Sequence, residues 1–439
     1  MSKNSLAVLS AALCVISSSA LALDNRIDTI RSDAPELAQY GKFAVGVKTL
    51  TVVNPRQLDI VKFKPGEPMP VYDRPLTLEV WYPAKLSAGQ TAGGQYQVMT
   101  RDGKTEATLK GRAVRNALSQ ADGGPYPLLI ISHGYPGNRF LLSHLGENLA
   151  SKGYVVASID HTDSTYSDQA AFGSTLLNRP LDQLFVLGQM AELSADDPSG
   201  TLKGLINTEQ TGLIGYSMGG YGVVNSIGGG FTAASVALPW GTPGGALAAR
   251  QAGNPAYLAT MDKRIKAALV FAPWGWNAGF WDAAGLAAIK TPVFFVAGSV
   301  DDVSGYSPGV RNIFEATANA PRFLLTYENA NHNAGAPIPA PQETWSPASA
   351  LKSSPAEHYT DAVWDSARMN NIAQHFATAF LDKYLKNDVS MDAYLKLVEN
   401  AKDGKWSAEA NGTLKSDHTY WRGFRRSTAV GLKLEQHKP

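Results

Sequence analysis

The ten residues from Thr211 to Gly220, T-G-L-I-G-Y-S-M-G-G, constrain this chain more than any other stretch. Leu213 and Ile214 end an apolar run of strand character, and Gly220, Tyr221 and Gly222 lead into a helical pattern, so Ser217 falls at the turn between them. A serine hydroxyl can attack a substrate only where the backbone lifts it clear of the sheet. The sharp turn that does so brings the positions two before and two after the serine against neighbouring main chain. Glycine occupies both, at 215 and 219. A five-residue pattern is short, so its weight comes from what surrounds it.

The 439 residues supply enough material for one large α/β domain with insertions. A hydrophobic content of 44% excludes wholesale disorder, and a net charge of +1 without a long basic run gives no case for a nucleic-acid partner. Met1 to Ala22 reads as a secretory leader, with Lys3, an apolar Leu6 to Ile16, and a small-x-small site at Ala20-Leu21-Ala22. The expected product is secreted or periplasmic, and the apolar stretch is too short for stable membrane insertion. Cys14 is the single cysteine and lies in that leader, so the mature chain, residues 23–439, is expected to hold no disulfide and no cysteine-bound metal.

Phe43 to Val53 and Leu76 to Tyr82 have strand character and should open a mixed sheet as antiparallel strands. Residues Lys85 to Gly124 read as a surface insertion with a short helix near Val114 to Leu118. Tyr126 to Ser132 is apolar in the manner of a strand buried on both faces of a parallel sheet, and it runs into His133-Gly134-Tyr135-Pro136-Gly137. Further strands are expected over Tyr154 to Ile159, Ile265 to Phe271, Pro292 to Gly298 and Phe323 to Tyr327. Helices are expected over Asn138 to Lys152, Pro180 to Leu193 and Met369 to Leu385. Residues 228–262 form a candidate cap over the site or a long surface loop. The extension 388–439, with its run from Tyr420 to Arg426, has no assigned role.

A hydroxyl nucleophile needs a base, a carboxylate to orient that base, and donors for the developing oxyanion. The backbone N–H groups of Tyr135, in the His-Gly loop, and of Met218, after the nucleophile, are the candidate oxyanion donors. G-S-V-D-D-V at Gly298 to Val303 follows a strand and offers Asp301 as the acid, with Asp302 as the alternative. Of eight histidines, His332 lies downstream of that acid in a small-residue loop directly after a strand. His161 stands upstream of Ser217 and is expected to line the pocket or tie down its loop. Trp274 and Trp276 follow a parallel strand at its C-terminal end, where ligands bind in open α/β sheets, and are candidate substrate contacts.

Together these motifs resemble the α/β-hydrolase superfamily, and within it the bacterial dienelactone-hydrolase-like and platelet-activating-factor-acetylhydrolase-like esterases. The resemblance spans about Leu76 to Leu385, a core of about 76–387. It is carried by W-Y-P-A at Trp81 to Ala84, S-H-G-Y-P-G-N-R at Ser132 to Arg139, I-D-H at Ile159 to His161, G-Y-S-M-G-G at Gly215 to Gly220, the Asp301 turn and Asn331-His332. It implies an α/β-hydrolase fold, a mostly parallel central sheet with helices on both faces. It also implies a Ser217–His332–Asp301 triad working through an acyl-enzyme, no metal or other cofactor, and a small-molecule or lipid-like ester as substrate. Dienelactone hydrolases use cysteine where this chain has Ser217, which argues against dienelactone itself. Other readings stay open: an acetylhydrolase or lipase on phospholipid or glyceride acyl groups, a polyester hydrolase, a peptidase, and a catalytically silent binding protein of the same fold.

Overall fold

Strand after strand that is apolar on both faces puts one long sheet at the centre of the molecule. The computed structural model describes residues 24–169, 172–238 and 243–439, so the expected leader and Cys14 lie outside the described residues. Strands β1 (Ala44–Leu58) and β2 (Val71–Lys85) form an antiparallel hairpin. They are followed by β3 (Tyr126–Ser132), β4 (Val155–Asp160), β5 (Ile206–Tyr216), β6 (Ile265–Phe271), β7 (Val293–Gly298), β8 (Arg322–Tyr327) and β9 (Leu432–His437). Across the sheet these run β9-β8-β7-β6-β5-β3-β4-β2-β1. Every pairing from β4 through β3, β5, β6 and β7 to β8 is parallel, and the pairs outside that block are antiparallel. The chain leaves β3 for β4 and then crosses back over β3 to β5. Connections at the C-terminal ends of β3 and β5 therefore depart in opposite directions, which opens a crevice there.

The longer helices are α1 (Ser143–Ala150), α2 (Phe172–Ala195), α3 (Met218–Ser226) and α4 (Ser366–Leu385). One sheet face buries Leu129, Ile131, Ile214, Leu269 and Phe294 with Leu145 of α1 and Phe376 and Phe380 of α4. The opposite face buries Leu128, Ile130, Leu213, Val270 and Phe295 with Leu187 of α2 and Val223 and Val224 of α3. Each such side chain contributes about 1.5–3 kcal/mol. The two faces share the strands and fix the ends from which the functional loops leave.

Two sequence expectations are corrected, and the extension that had no assigned role acquires one. Val114 to Leu118 is not helical: Val114–Arg115 and Leu118–Ser119 are short strands that pair with β1 and β2, and Asn116 between them has φ 54°. That left-handed residue breaks a helix and turns the chain back along the sheet edge. The surrounding insertion is also more than surface, because its hairpin (Gly94–Met99 with Glu106–Gly111) sends Tyr96, Val98 and Leu109 into the main core. Finally, the C-terminal extension supplies β9, whose Leu432 and Leu434 are buried and which covers the edge of β8.

Candidate active site

β5 ends at Tyr216 and α3 begins at Met218, which leaves Ser217 between them at φ 53° and ψ −114°. A non-glycine residue held there stores roughly 1–3 kcal/mol of strain. Three main-chain hydrogen bonds hold it: the Ser217 N–H donates to the Phe271 carbonyl (2.9 Å), and the Ser217 carbonyl accepts from the N–H groups of Tyr221 (2.9 Å) and Trp274 (3.2 Å). A Cβ at Gly219 would collide with the carbonyl of Ser132, and one at Gly215 with the carbonyl of Gly219. Packing at the elbow thus demands both glycines.

His332 follows β8, and its Nδ1 lies 3.0 and 3.1 Å from the two carboxylate oxygens of Asp301. Asp301 is buried, and its Oδ1 also accepts from the backbone N–H groups of Val303 and Ser304, both at 2.9 Å. Burial pushes its pKa up, but the His332 hydrogen bond and charge and the two amides outweigh burial and leave it below the ordinary carboxylate range. Asp302 is exposed, and its N–H donates to Asn331 Oδ1 at 3.0 Å. Of the two adjacent carboxylates, Asp301 is the one that meets the imidazole.

The loop carrying His332 is pinned on both sides, by residues the sequence did not single out. The Tyr216 ring lies against His332 (centroids 5.1 Å apart), and its hydroxyl donates to Asn333 Oδ1 at 2.8 Å. Asn333 Nδ2 in turn donates to the carbonyls of Glu357 (3.0 Å) and Thr360 (2.6 Å). On the other side the Asn331 N–H donates to Asp361 at 2.6 Å. The asparagines flanking His332 are the signal a sequence reader could have used.

Ser217 and His332 open on one cavity of about 590 Å³. Gly134, Tyr135, Tyr216, Asp302, Val303, Asn331, Asn333, Glu357, His358, Thr360, Asp361 and Ala362 complete its lining. Tyr135 therefore reaches the cavity, and a Cβ at Gly134 would stand 3.4 Å from that of Ser217. Met218 is buried as the first residue of α3, where backbone N–H groups have no intrahelical acceptor. Asp302, Glu357 and Asp361 give the lining three carboxylates, and no lysine or arginine accompanies them among the described residues. None of the described residues in 228–262, read as a cap or a long surface loop, lines this cavity; the segment 357–362 supplies part of its wall.

His161 does not contact this cavity. It is 1% exposed, its Nδ1 lies 2.8 Å from Asp182 and its Nε2 lies 2.8 Å from Ser132 Oγ, so both ring nitrogens are committed inside the fold. Of the two roles expected for it, lining the pocket or tying down its loop, the contacts are those of a tie between strand ends and α2, and the substrate contact is not made. Trp274 and Trp276 likewise lie outside the lining. Trp274 packs on Phe172 (5.5 Å), Phe280 (5.3 Å) and Tyr221 (6.1 Å), and Trp276 rests on the core of the same face. Phe172 also meets Tyr135 at 5.2 Å, so a row of aromatic rings leads from the cavity wall to Trp274.

Comparison with known proteins agrees with this architecture. A ferulic acid esterase from Streptomyces cinnamoneus matches with a TM-score of 0.54 at 20% identity, over 81% of this chain and 94% of that one. The chain has the α/β-hydrolase fold. The family model for platelet-activating factor acetylhydrolase, isoform II, matches residues 33–182. Cutinase est1 of Thermobifida alba is 24% identical over 208 residues, covering 47% of this chain and 53% of that protein. Cutinase 2 of Thermobifida cellulosilytica is 23% identical over 208 residues, covering 47% and 60%. The match thus spans little more than half the length of these α/β-hydrolase relatives.

Proposed function

We infer that this chain is a serine hydrolase that cleaves carboxylic esters through an acyl-enzyme. The observation carrying the reading is the His332–Asp301 pair opening on the same cavity as Ser217 at its strained elbow. Nδ1–H of His332 donates to Asp301, which leaves Nε2 to take the Ser217 proton as the hydroxyl oxygen attacks the ester carbonyl carbon. The carbonyl oxygen becomes an oxyanion and accepts from the N–H groups of Tyr135 and Met218, each worth on the order of 3 kcal/mol. Collapse expels the alcohol, which takes its proton from His332. Water then attacks the acyl-enzyme by the same route, releases the acid and restores Ser217.

The carboxylates of Asp302, Glu357 and Asp361 around the cavity favour an uncharged ester over an anionic one and repel the carboxylate product. This weighs against phospholipids with anionic headgroups. A polyester with aromatic units is the second reading, supported by the likeness to cutinases and by the row Tyr135, Phe172 and Trp274 beside the cavity. We also read the chain as exported, on residues 1–22; the mass of the protein recovered from culture fluid tests that point.

The deciding experiment compares wild type with Ser217→Ala on p-nitrophenyl acetate, butyrate and palmitate and on a polyester film. Turnover of the short neutral esters in wild type and its loss in Ser217→Ala are expected. A folded wild-type protein without turnover of any of them contradicts the reading.

A further inference from the structure

An oxyanion donor works only if its peptide plane is held, because a rotated peptide offers a carbonyl where an N–H is needed. Both candidate donors belong to peptides whose carbonyl ends are tethered, but by different means. For the Ser217–Met218 peptide the tethers are the main-chain N–H groups of Tyr221 and Trp274. For the Gly134–Tyr135 peptide they are side chains: Arg179 Nη2 donates to the Gly134 carbonyl at 3.2 Å, and His133 Nδ1 lies 2.7 Å from the same oxygen. The Arg179 guanidinium also bonds the His133 carbonyl and the Ser164 hydroxyl.

The protonation of these groups is set by their surroundings. His133 is fully buried, and burial, together with the charges of Arg179 and His161, pushes its pKa well below the ordinary histidine value. Its Nε2 accepts from the His161 N–H at 3.3 Å, so the single ring proton sits on Nδ1 and is donated to Gly134. Arg179 is 1% exposed, with no carboxylate bonded to it among the described residues, and its stem lies so close to α3 that a Cβ at Gly222 would stand 2.9 Å from its Cγ. A buried cation spent on two carbonyls of one loop is costly unless the loop conformation matters.

We propose that Arg179 and His133 are positioning residues for the first oxyanion donor, holding the Gly134 carbonyl toward α2 so that the Tyr135 N–H faces Ser217. The Gly134–Tyr135 peptide is trans, so its N–H points opposite to its carbonyl. A full positive charge on that carbonyl also polarises the peptide and strengthens its N–H as a donor. The proposal rests on the ester-hydrolase reading above.

The test compares wild type with Arg179→Met and Arg179→Lys, and with Arg250→Met as a control. Arg250 is another buried arginine, bonded to Asn225 away from the cavity. Loss of one oxyanion donor lowers kcat by about 10²–10³-fold, so loss of its positioning group should lower kcat by roughly 10–100-fold with KM unchanged. Inhibition by butaneboronic acid, whose tetrahedral adduct fills the oxyanion site, should weaken by the same factor, and Arg179→Lys should fall between. Arg250→Met should lower the melting temperature without either effect. Unchanged kcat and boronate inhibition in a folded Arg179→Met, or equal losses in Arg250→Met, would overturn the proposal. Should Arg179→Met not fold, a crystal structure of the wild-type boronate adduct decides. The Tyr135 N–H within about 3 Å of a boronate oxygen, with Arg179 on Gly134, is expected; a flipped peptide overturns it. Wild type turning over ester while Arg179→Met is unaffected leaves the hydrolase reading standing, whereas wild type without turnover removes both.

Discussion

In the core, Ser132 Oγ lies 2.8 Å from His161 Nε2, and His161 Nδ1 lies 2.8 Å from Asp182; beside the cavity, His332 Nδ1 lies 3.0 Å from Asp301 next to Ser217. The molecule therefore holds two sets of serine, histidine and aspartate, and the buried one has the shorter bonds. What separates them is everything around the connectivity. Ser132 ends β3 in paired strand conformation and is fully buried, whereas Ser217 stands at positive φ on a cavity wall. Asp182 also bonds Arg74 through both oxygens (2.9 and 3.0 Å), so its charge is committed to a guanidinium, while Asp301 is bonded otherwise only by backbone amides. Burial, with the charges of Arg179 and Arg74, pushes the His161 pKa well below its ordinary value and keeps that ring neutral. In the core a relay of bonds fixes the fold; beside the cavity the His332–Asp301 pair opens on the same space as Ser217, and access and backbone strain are what distinguish the two sets.

That contrast can be broken by substitution. Asp301→Asn should lower kcat by about 10⁴-fold, as loss of the orienting carboxylate does in serine proteases, with little change in melting temperature. Asp302→Asn, assayed in parallel, should retain activity; the reverse ranking would reassign the acid. Asp182→Asn should act the other way, destabilising by about 3 kcal/mol because buried Arg74 loses its bidentate carboxylate and keeps only Asp163 as a charge partner, while the folded fraction keeps its kcat. Denaturant unfolding with active-site titration checks both quantities. Ser132→Ala should cost about 1–3 kcal/mol through the unpaired His161 Nε2 and leave ester turnover intact.

Acid should sharpen the same distinction. His133, His144, His161 and His375 are buried, and burial holds all four below the ordinary pKa, with His144 and His375 at about 3. Below the unfolded value of about 6.5 the unfolded chain binds more protons than the native one, so stability falls as pH drops, by up to about 1.4 kcal/mol per pH unit for each histidine. Asp301 contributes in a lower window: its depressed pKa adds stability above about 3.9 that is lost as pH falls through the native value. Melting temperature should decline from pH 6.5 downward, and less steeply in His144→Leu, whose ring nitrogens have no partners.

The elbow was legible in the sequence because close packing there leaves no residue but glycine at 215 and 219, and the strands were legible because parallel strands buried on both faces are apolar throughout. The G-S-V-D-D-V turn put Asp301 first and Asp302 second, but not what turns Asp301 inward, because that turn is made by the Val303 and Ser304 amides, which any residues would supply. His161 stayed open between pocket and tie because a histidine beside a carboxylate in sequence says nothing about which side of a strand end it faces. The wall at residues 357–362 depends on contacts 24 to 30 positions apart and the reach of Arg179 to Gly134 on one 45 positions apart, with no local pattern to announce them. β9 carried a readable alternation at Leu432 and Leu434, but its partner strand lies more than 100 residues upstream.

The most direct test of the central claim is to label wild-type protein with a fluorophosphonate and map the adduct by peptide mass spectrometry. The account predicts a single adduct on Ser217, none on Ser132, and no labelling of Ser217→Ala; an adduct on Ser132, or undiminished labelling of Ser217→Ala, would contradict it.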